Sequence, residues 1–198
     1  MKKLFFNISL ITVLFFAFSW ASTTQAANFK IDPEHSSVSF QIRHIFSNVN
    51  GNFNQFSGSF DFDQAKKTGG NLKVSIVSKS IDTNNEKRDK HLKTADFFDV
   101  EKFSELKFTS TKVENAGGNK YKIQGYLTLH GKTNLVDLDA EFLGSGKDPW
   151  GNEKAGFTAT AKINRKDYSI VWNKVLDAGG LMLGEEVTIS LNIEANKL

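Results

Sequence analysis

Apolar and polar residues alternate with a period of two through most of the chain. In SSVSFQIRH (36–44), Val38, Phe40, Ile42 and His44 share one face, and Ser39, Gln41 and Arg43 share the other. The same alternation places Phe60 and Phe62 together, then Leu72, Val74 and Ile76, then Leu106 and Phe108. It continues with Tyr121, Ile123, Leu127 and Leu129, with Gly125 between them on the same face. Val136, Leu138, Ala140 and Phe142 follow, then Ala155, Phe157, Ala159, Ala161 and Ile163, and finally Val187, Ile189, Leu191 and Ile193. Such one-sided segments are antiparallel strands packed over a single core. KKTGG, NAGGN, HGKTN, GKDPWGN and DAGG supply the turns between them. No βαβ rhythm and no internal repeat appears. Eight or more strands of this kind fit a closed up-and-down barrel or a sandwich equally well. Gly125 and Ala155, Ala159 and Ala161 lie on inward faces, which leaves room inside unless phenylalanines fill it.

The alternation breaks at EKRDKHLKTADFFD (86–99). Thr83 and Glu86 have the spacing of a capping box, which predicts a helix over about 84–93. Arg88, His91, Leu92 and Ala95 then share the face turned toward the body. Phe97 and Phe98 follow in a turn bounded by Asp96 and Asp99. A catalytic reading makes His91 a general base oriented by Asp89 or Asp96, but no nucleophile motif accompanies it. A metal reading needs His35, His44, His91 and His130 to converge, and no H-x-x-x-H pair is present. A structural reading makes the segment an insert that plugs one end of the sheet, held by Arg88 and His91. A fourth makes it a lid, with its polar face on a ligand head group and Phe97 and Phe98 on the tail.

Composition narrows the class. Met1-Lys2-Lys3, an apolar run from Leu4 to Trp20 and the small polar ASTTQAA form the three regions of a secretory signal peptide. The expected organisation is therefore a cleaved leader, 1–26, and a single domain, 27–198. Without the leader's two lysines, 23 basic residues face 22 acidic ones, so no nucleic-acid partner is expected. The sequence has no cysteine, so the fold rests on its core rather than on disulfides. No stable membrane anchor is expected in the mature form.

IDPEHSSVSFQIRH (31–44), GNFNQFSGSF (51–60), KRDKHLKTADFFD (87–99), GYLTLHGKTNLVDL (125–138), GFTATAKINRKDY (156–168) and GEEVTISLNIEA (184–195) resemble, in order, the YceI-like family of periplasmic polyisoprenoid-binding proteins. The resemblance implies an all-β, extended, lipocalin-like antiparallel barrel of about eight strands with a short helical insert near 84–95. It implies a periplasmic carrier or sequestering protein, not an enzyme, with no cofactor. Its ligand would be a long-chain isoprenoid or fatty lipid of the quinone or polyprenyl type. Phe40, Ile42, Val74, Ile76, Phe97, Phe98, Phe108, Leu127, Leu129, Phe157, Val187 and Ile189 would then line the lumen. His44, Arg88 and His91 would either meet the head group or anchor the insert. An exposed strand edge or the lumen mouth would offer a homodimer surface. Two alternatives stand beside this: an enzyme using His91 on a small exported substrate, and a barrel with a packed core. One departure is local. The family commonly has Arg-x-Asp-Phe-Gly where this chain has Arg165-Lys166-Asp167-Tyr168-Ser169. The added hydroxyl wants a partner, and serine for glycine suggests a relaxed backbone approach.

Overall fold

A computed structural model describes residues 26–177 and 179–198, so the expected leader lies outside the described residues except for its last position. Among them are eleven strands: β1 (Ala27–Ile31), β2 (Ser37–His44), β3 (Ser47–Phe53), β4 (Phe56–Asp63), β5 (Thr68–Val77), β6 (Ile81–Asp82), β7 (Glu105–Gly117), β8 (Lys120–Leu129), β9 (Lys132–Lys147), β10 (Glu153–Asn164) and β11 (Leu183–Lys197). All paired strands are antiparallel. The order β1-β4-β5-β7-β8-β9-β10-β11 closes on itself, because Phe29, Lys30 and Ile31 pair with Lys197, Asn196 and Ala195. This is the eight-stranded barrel expected from the resemblance, and the sandwich is excluded.

The ring is not composed as the alternation suggests. SSVSFQIRH is not one of its eight strands. It pairs with the other half of β11, Ile189 opposite Phe40, and begins a side panel β2-β3-β6. The eighth strand of the ring is the five-residue ANFKI, whose Phe29 and Ile31 are buried. β7 also runs past Phe108. A bulge at Thr111 shifts the register between Ser110 and Lys112, so that Val113 comes opposite the inward Ile123. One extra residue inverts the inside–outside parity, which hides the second half of the strand from a period-two reading.

Two apolar clusters divide the interior. One surrounds Val38, Phe53, Leu106, Leu127, Leu129 and Leu138. The other sits at the end where β1 begins and β11 finishes, and is built largely of rings. Phe62 lies 5.0 Å from Phe142, 5.1 Å from Phe157 and 5.7 Å from Tyr121, centroid to centroid. Phe60 meets Phe157 edge-on at 5.3 Å and stacks on Phe29 at 5.5 Å. Edge-to-face pairs of this kind add to the burial of the rings themselves. The space at Gly125 is used by a neighbour: a Cβ there would lie 2.4 Å from Cζ of Phe108.

The insert contains a short helix, α1 (Glu86–Leu92), shorter than the expected 84–93 and capped differently. Asn84 takes a left-handed φ of 58°, which moves the cap to Asn85, whose side chain accepts from the Arg88 N–H at 3.0 Å. Asparagine caps at least as well as threonine. Glu86 instead pairs with Lys90 at 2.6 Å, one turn on. Thr83 is buried and serves Asp89, whose Oδ1 accepts from its N–H and its hydroxyl. Ala95 lies beyond the helix and is exposed, so it does not extend the inward face. Among the described residues no helix is long and apolar enough to cross a membrane.

Candidate functional site: a cavity along the barrel

The inward faces of β2, β5, β7, β8, β9, β10 and β11 enclose one continuous cavity of about 1220 Å³. Drug-sized pockets usually span roughly 300–1,000 Å³. All twelve residues assigned to the lumen lie on its wall. Phe40 and Ile42 come from β2, Val74 and Ile76 from β5, Phe108 from β7, and Leu127 and Leu129 from β8. Phe157 comes from β10, Val187 and Ile189 from β11, and Phe97 and Phe98 from the insert. Ala140, Ala159 and Ala161 provide the small side of the wall. Phe60, Phe62, Tyr121 and Phe157 belong both to the wall and to the aromatic cluster, so that cluster is the cavity floor. A core packed by its own side chains is excluded.

The mouth lies at the other end. Among the described residues, Ser47–Gly51 of β3 pair with β2 alone, because β6 pairs only with Asn52 and Phe53. The insert faces that free edge. Asn48 and Asn50 on one side, and Asn84, Asn85 and Lys87 on the other, give the opening a polar rim. His44 lines the wall beside it, at the end of β2.

Arg88 and His91 also line the cavity, and both are engaged by the insert. Arg88 Nε donates to Thr83 Oγ1 at 2.7 Å and Nη2 to the Thr83 carbonyl at 2.6 Å. His91 Nε2 lies 2.9 Å from Asp96 Oδ2, and its ring meets Phe97 and Trp172 edge-on, each at 5.0 Å. Of the two proposed orienters for His91, Asp96 is in place and Asp89 is spent on Thr83. Phe98 packs edge-on against Phe53 at 5.6 Å. These contacts are those of an anchored insert.

Sequence reasoning missed Trp172, Ile170, Phe53 and Leu183, all on the wall. Residues 171–182 show no alternation, so nothing periodic marks Trp172. Arg165 holds this segment. Its Nε donates to Gly184 O at 2.8 Å, and Nη1 donates to Ile170 O and Trp172 O at 2.8 and 2.9 Å. Burial of the guanidinium pulls its pKa below the usual arginine range. The Tyr168 hydroxyl is buried and makes no well-formed hydrogen bond among the described residues, with the Asn134 side chain as its polar neighbour; burial pushes the phenol up and Asn134 pulls it back in part. Ser169 has φ 62°, the left-handed region. A left-handed φ is the conformation that glycine, of all residues, adopts most readily.

The histidines do not converge. His130 Nδ1 meets the Tyr168 carbonyl oxygen at 3.0 Å, far from the His91–Asp96 pair in partners, and His35 sits outside the barrel. There Asp32, His35 and Glu194 place three metal-type ligand atoms within 4.8 Å of one another. The cation between the carboxylates is Lys154, whose Nζ lies 3.0 Å from Asp32 and 2.6 Å from Glu194.

A closed antiparallel barrel with a long apolar lumen under a helical insert defines the class: a lipocalin-like barrel with an internal cavity. Residues 29–195 match the YceI-like domain model, and the chain belongs to that family. A UPF0312 protein of Photorhabdus laumondii is 47% identical over 152 residues, covering 75% of this chain and 79% of its own. A Vibrio cholerae UPF0312 protein is 38% identical over 173 residues, 86% and 89% of the two chains. Among solved structures, Campylobacter jejuni YceI superposes with a TM-score of 0.70 at 34% identity, covering 79% of this chain and 90% of its own. Burkholderia cenocepacia BcnA gives 0.73 at 25% identity, covering 83% and 98%. A Saccharophagus degradans domain described as polyisoprenoid binding shares the fold at 16% identity, with a TM-score of 0.60 and coverage of 88% and 100%.

Proposed function

We propose that this protein binds a long-chain isoprenoid or related amphiphilic lipid in its barrel and carries or sequesters it in the periplasm, without catalysing a reaction. The observation that carries the reading is the 1220 Å³ cavity, apolar along its length, closed by rings and opened through a polar rim. That form matches an extended hydrocarbon with one polar end. At roughly 0.8 kcal/mol per buried methylene, each five-carbon unit offers about 3–4 kcal/mol. Three units reach about 12 kcal/mol on paper, before the cost of ordering the chain. Affinity then follows chain length more than head-group chemistry. The polyisoprenoid-binding domain of S. degradans, which shares the fold, supports the ligand class. The leader-like N-terminus supports the compartment. Arg88 Nε and Nη2 and His91 Nε2 are committed within the insert, which favours Phe97 and Phe98 as the insert's ligand contacts. Organic extraction of the purified protein followed by mass spectrometry is expected to release a stoichiometric long-chain lipid. Protein that carries no lipid and, once stripped, takes up no prenyl chain would refute the reading.

A further inference from the structure

The hairpin between β2 and β3 turns through two residues, Ile45 and Phe46, since His44 pairs with Ser47. Such a turn normally takes Asn-Gly or another glycine-containing pair, because one or both central residues need a positive φ. Here Ile45, a β-branched residue, has φ 49°. That conformation is costly for isoleucine. Phe46 beside it is 89% exposed. Two apolar residues thus replace the polar, flexible pair that the local backbone favours. Strain of this kind is kept where a function requires the residue.

The apolar tip is not isolated. The Ile45 N–H donates to Met182 O at 2.9 Å and joins the tip to the segment 171–182, itself folded back by a Val175–Leu181 bridge. Val175 is 77% exposed and Val171 63%. The crown adjoins the cavity wall at three places, His44 and Ser47 around the tip, Trp172 after Val171, and Met182 after Leu181, and Val175 is tied to the last of these by its bridge to Leu181. The crown therefore surrounds the mouth. Arg43, Lys87 and Lys174 stand around it, and among the described residues none of the three is in an ion pair; the acid in the 171–182 segment is Asp177. Exposed Trp150 lies at the opposite end, behind the aromatic floor, where it has no connection to the mouth.

We infer that the Phe46–Val175–Leu181 crown docks the mouth onto the surface of an anionic lipid bilayer, so that cargo passes between bilayer and cavity without crossing open water. The inference rests on the lipid-cavity reading. Apolar tips flanked by cations are suited to the headgroup boundary. Continuity of the crown with the mouth distinguishes this from a patch that merely adheres.

The test compares the wild type with the triple variant Ile45→Gly, Phe46→Asn, Val175→Ser. Glycine then occupies the one central position with a positive φ, so the variant is expected to fold at least as well. Both proteins carry the same N-terminus, which isolates the crown. Flotation with vesicles of phosphatidylethanolamine and phosphatidylglycerol is expected to carry the wild type, and the variant about tenfold less or weaker still. Uptake of a dansyl-labelled fatty acid in vesicle-free solution is expected to be equal for both. Wild-type protein that stays unbound, or a variant that floats equally well, overturns the inference. So does a variant that turns a dimer into a monomer in sedimentation, which would make the crown an interface between copies. Wild-type protein that floats but takes up no fatty acid overturns the cavity reading instead.

Discussion

Tyr168 and Ser169 stand where the resembling family commonly has phenylalanine and glycine. Phenylalanine is the common residue where this chain has Tyr168, and the ring is 1% exposed, so tyrosine fits the same space. Its hydroxyl makes no well-formed hydrogen bond among the described residues, and only the Asn134 side chain interacts with it. A buried hydroxyl without a hydrogen bond loses its hydration and gains nothing in return. Tyr168→Phe is therefore expected to stabilise the fold by about 1 kcal/mol. In a domain of this size that is a rise of about 2–4 °C in Tm by calorimetry. A lower Tm would show that the hydroxyl is satisfied. Arg165, three residues earlier, behaves in the opposite way. Its three donated bonds to carbonyls tie the irregular segment to β11. Removing it would strand those carbonyls, so its neighbours cannot relax as they can around Tyr168.

Between elements, one charged cluster joins the β1–β2 turn to β10 and β11. Asp32 and His35 come from the turn, Lys154 from β10 and Glu194 from β11. The hydrogen bond from His35, aided by Lys154, holds the Asp32 carboxyl far below its ordinary range, so it stays ionised at any working pH. The Asp32 carboxylate in turn raises the His35 pKa above its ordinary 6.5. A raised folded-state pKa stabilises while the imidazole is charged. The contribution is complete below about pH 6.5 and is lost as pH rises through the folded-state value. Tm is expected to fall between pH 6 and pH 9, and His35→Ala is expected to flatten that part of the profile. An unchanged slope in the variant would assign the response elsewhere. His35 is exposed, so the effect is modest. Which elements meet here was not legible in the sequence. Asp32 and Glu194 are brought together by barrel closure, and closure depends on a five-residue strand with no room for a visible period. The inward faces were legible, because a one-residue slip would bury every polar neighbour. For that reason the ten strand residues among the twelve assigned to the lumen reach the cavity wall, while Phe97 and Phe98 reach it from the insert. The bulge at Thr111 and the irregular 171–182 segment follow no period, and the second half of β7 and Trp172 were lost with them. The capping box failed for a different reason. Thr83 and Asn85 are both competent caps, and the left-handed Asn84 decides between them.

For the whole molecule, the aromatic floor and the mouth set the length of whatever the cavity holds. Hydrophobic transfer rewards every added methylene until the chain meets Phe60, Phe62 and Phe157, and beyond that point further carbons must leave through the mouth into water. Bound chain length should therefore follow cavity depth rather than head-group identity. Ala159 is placed to test this: it lines the cavity, packs against both clusters and sits opposite Ala140, so both sides of the wall are small there. Ala159→Trp would fill the space above the floor and leave the rim and the insert untouched. The expected result is a shift of the extracted lipids toward shorter chains, with total occupancy kept or modestly reduced, read by mass spectrometry beside the wild type. Overpacking costs about 1–3 kcal/mol where a core is already full, so an unchanged Tm would itself show that the side chain enters open space. If the chain-length distribution stays fixed while the protein remains folded, the floor does not measure the ligand. The cavity would then be accepting its cargo by the polar end, at Asn48, Asn50, Asn84 and Asn85, and selectivity would have to be sought at the rim.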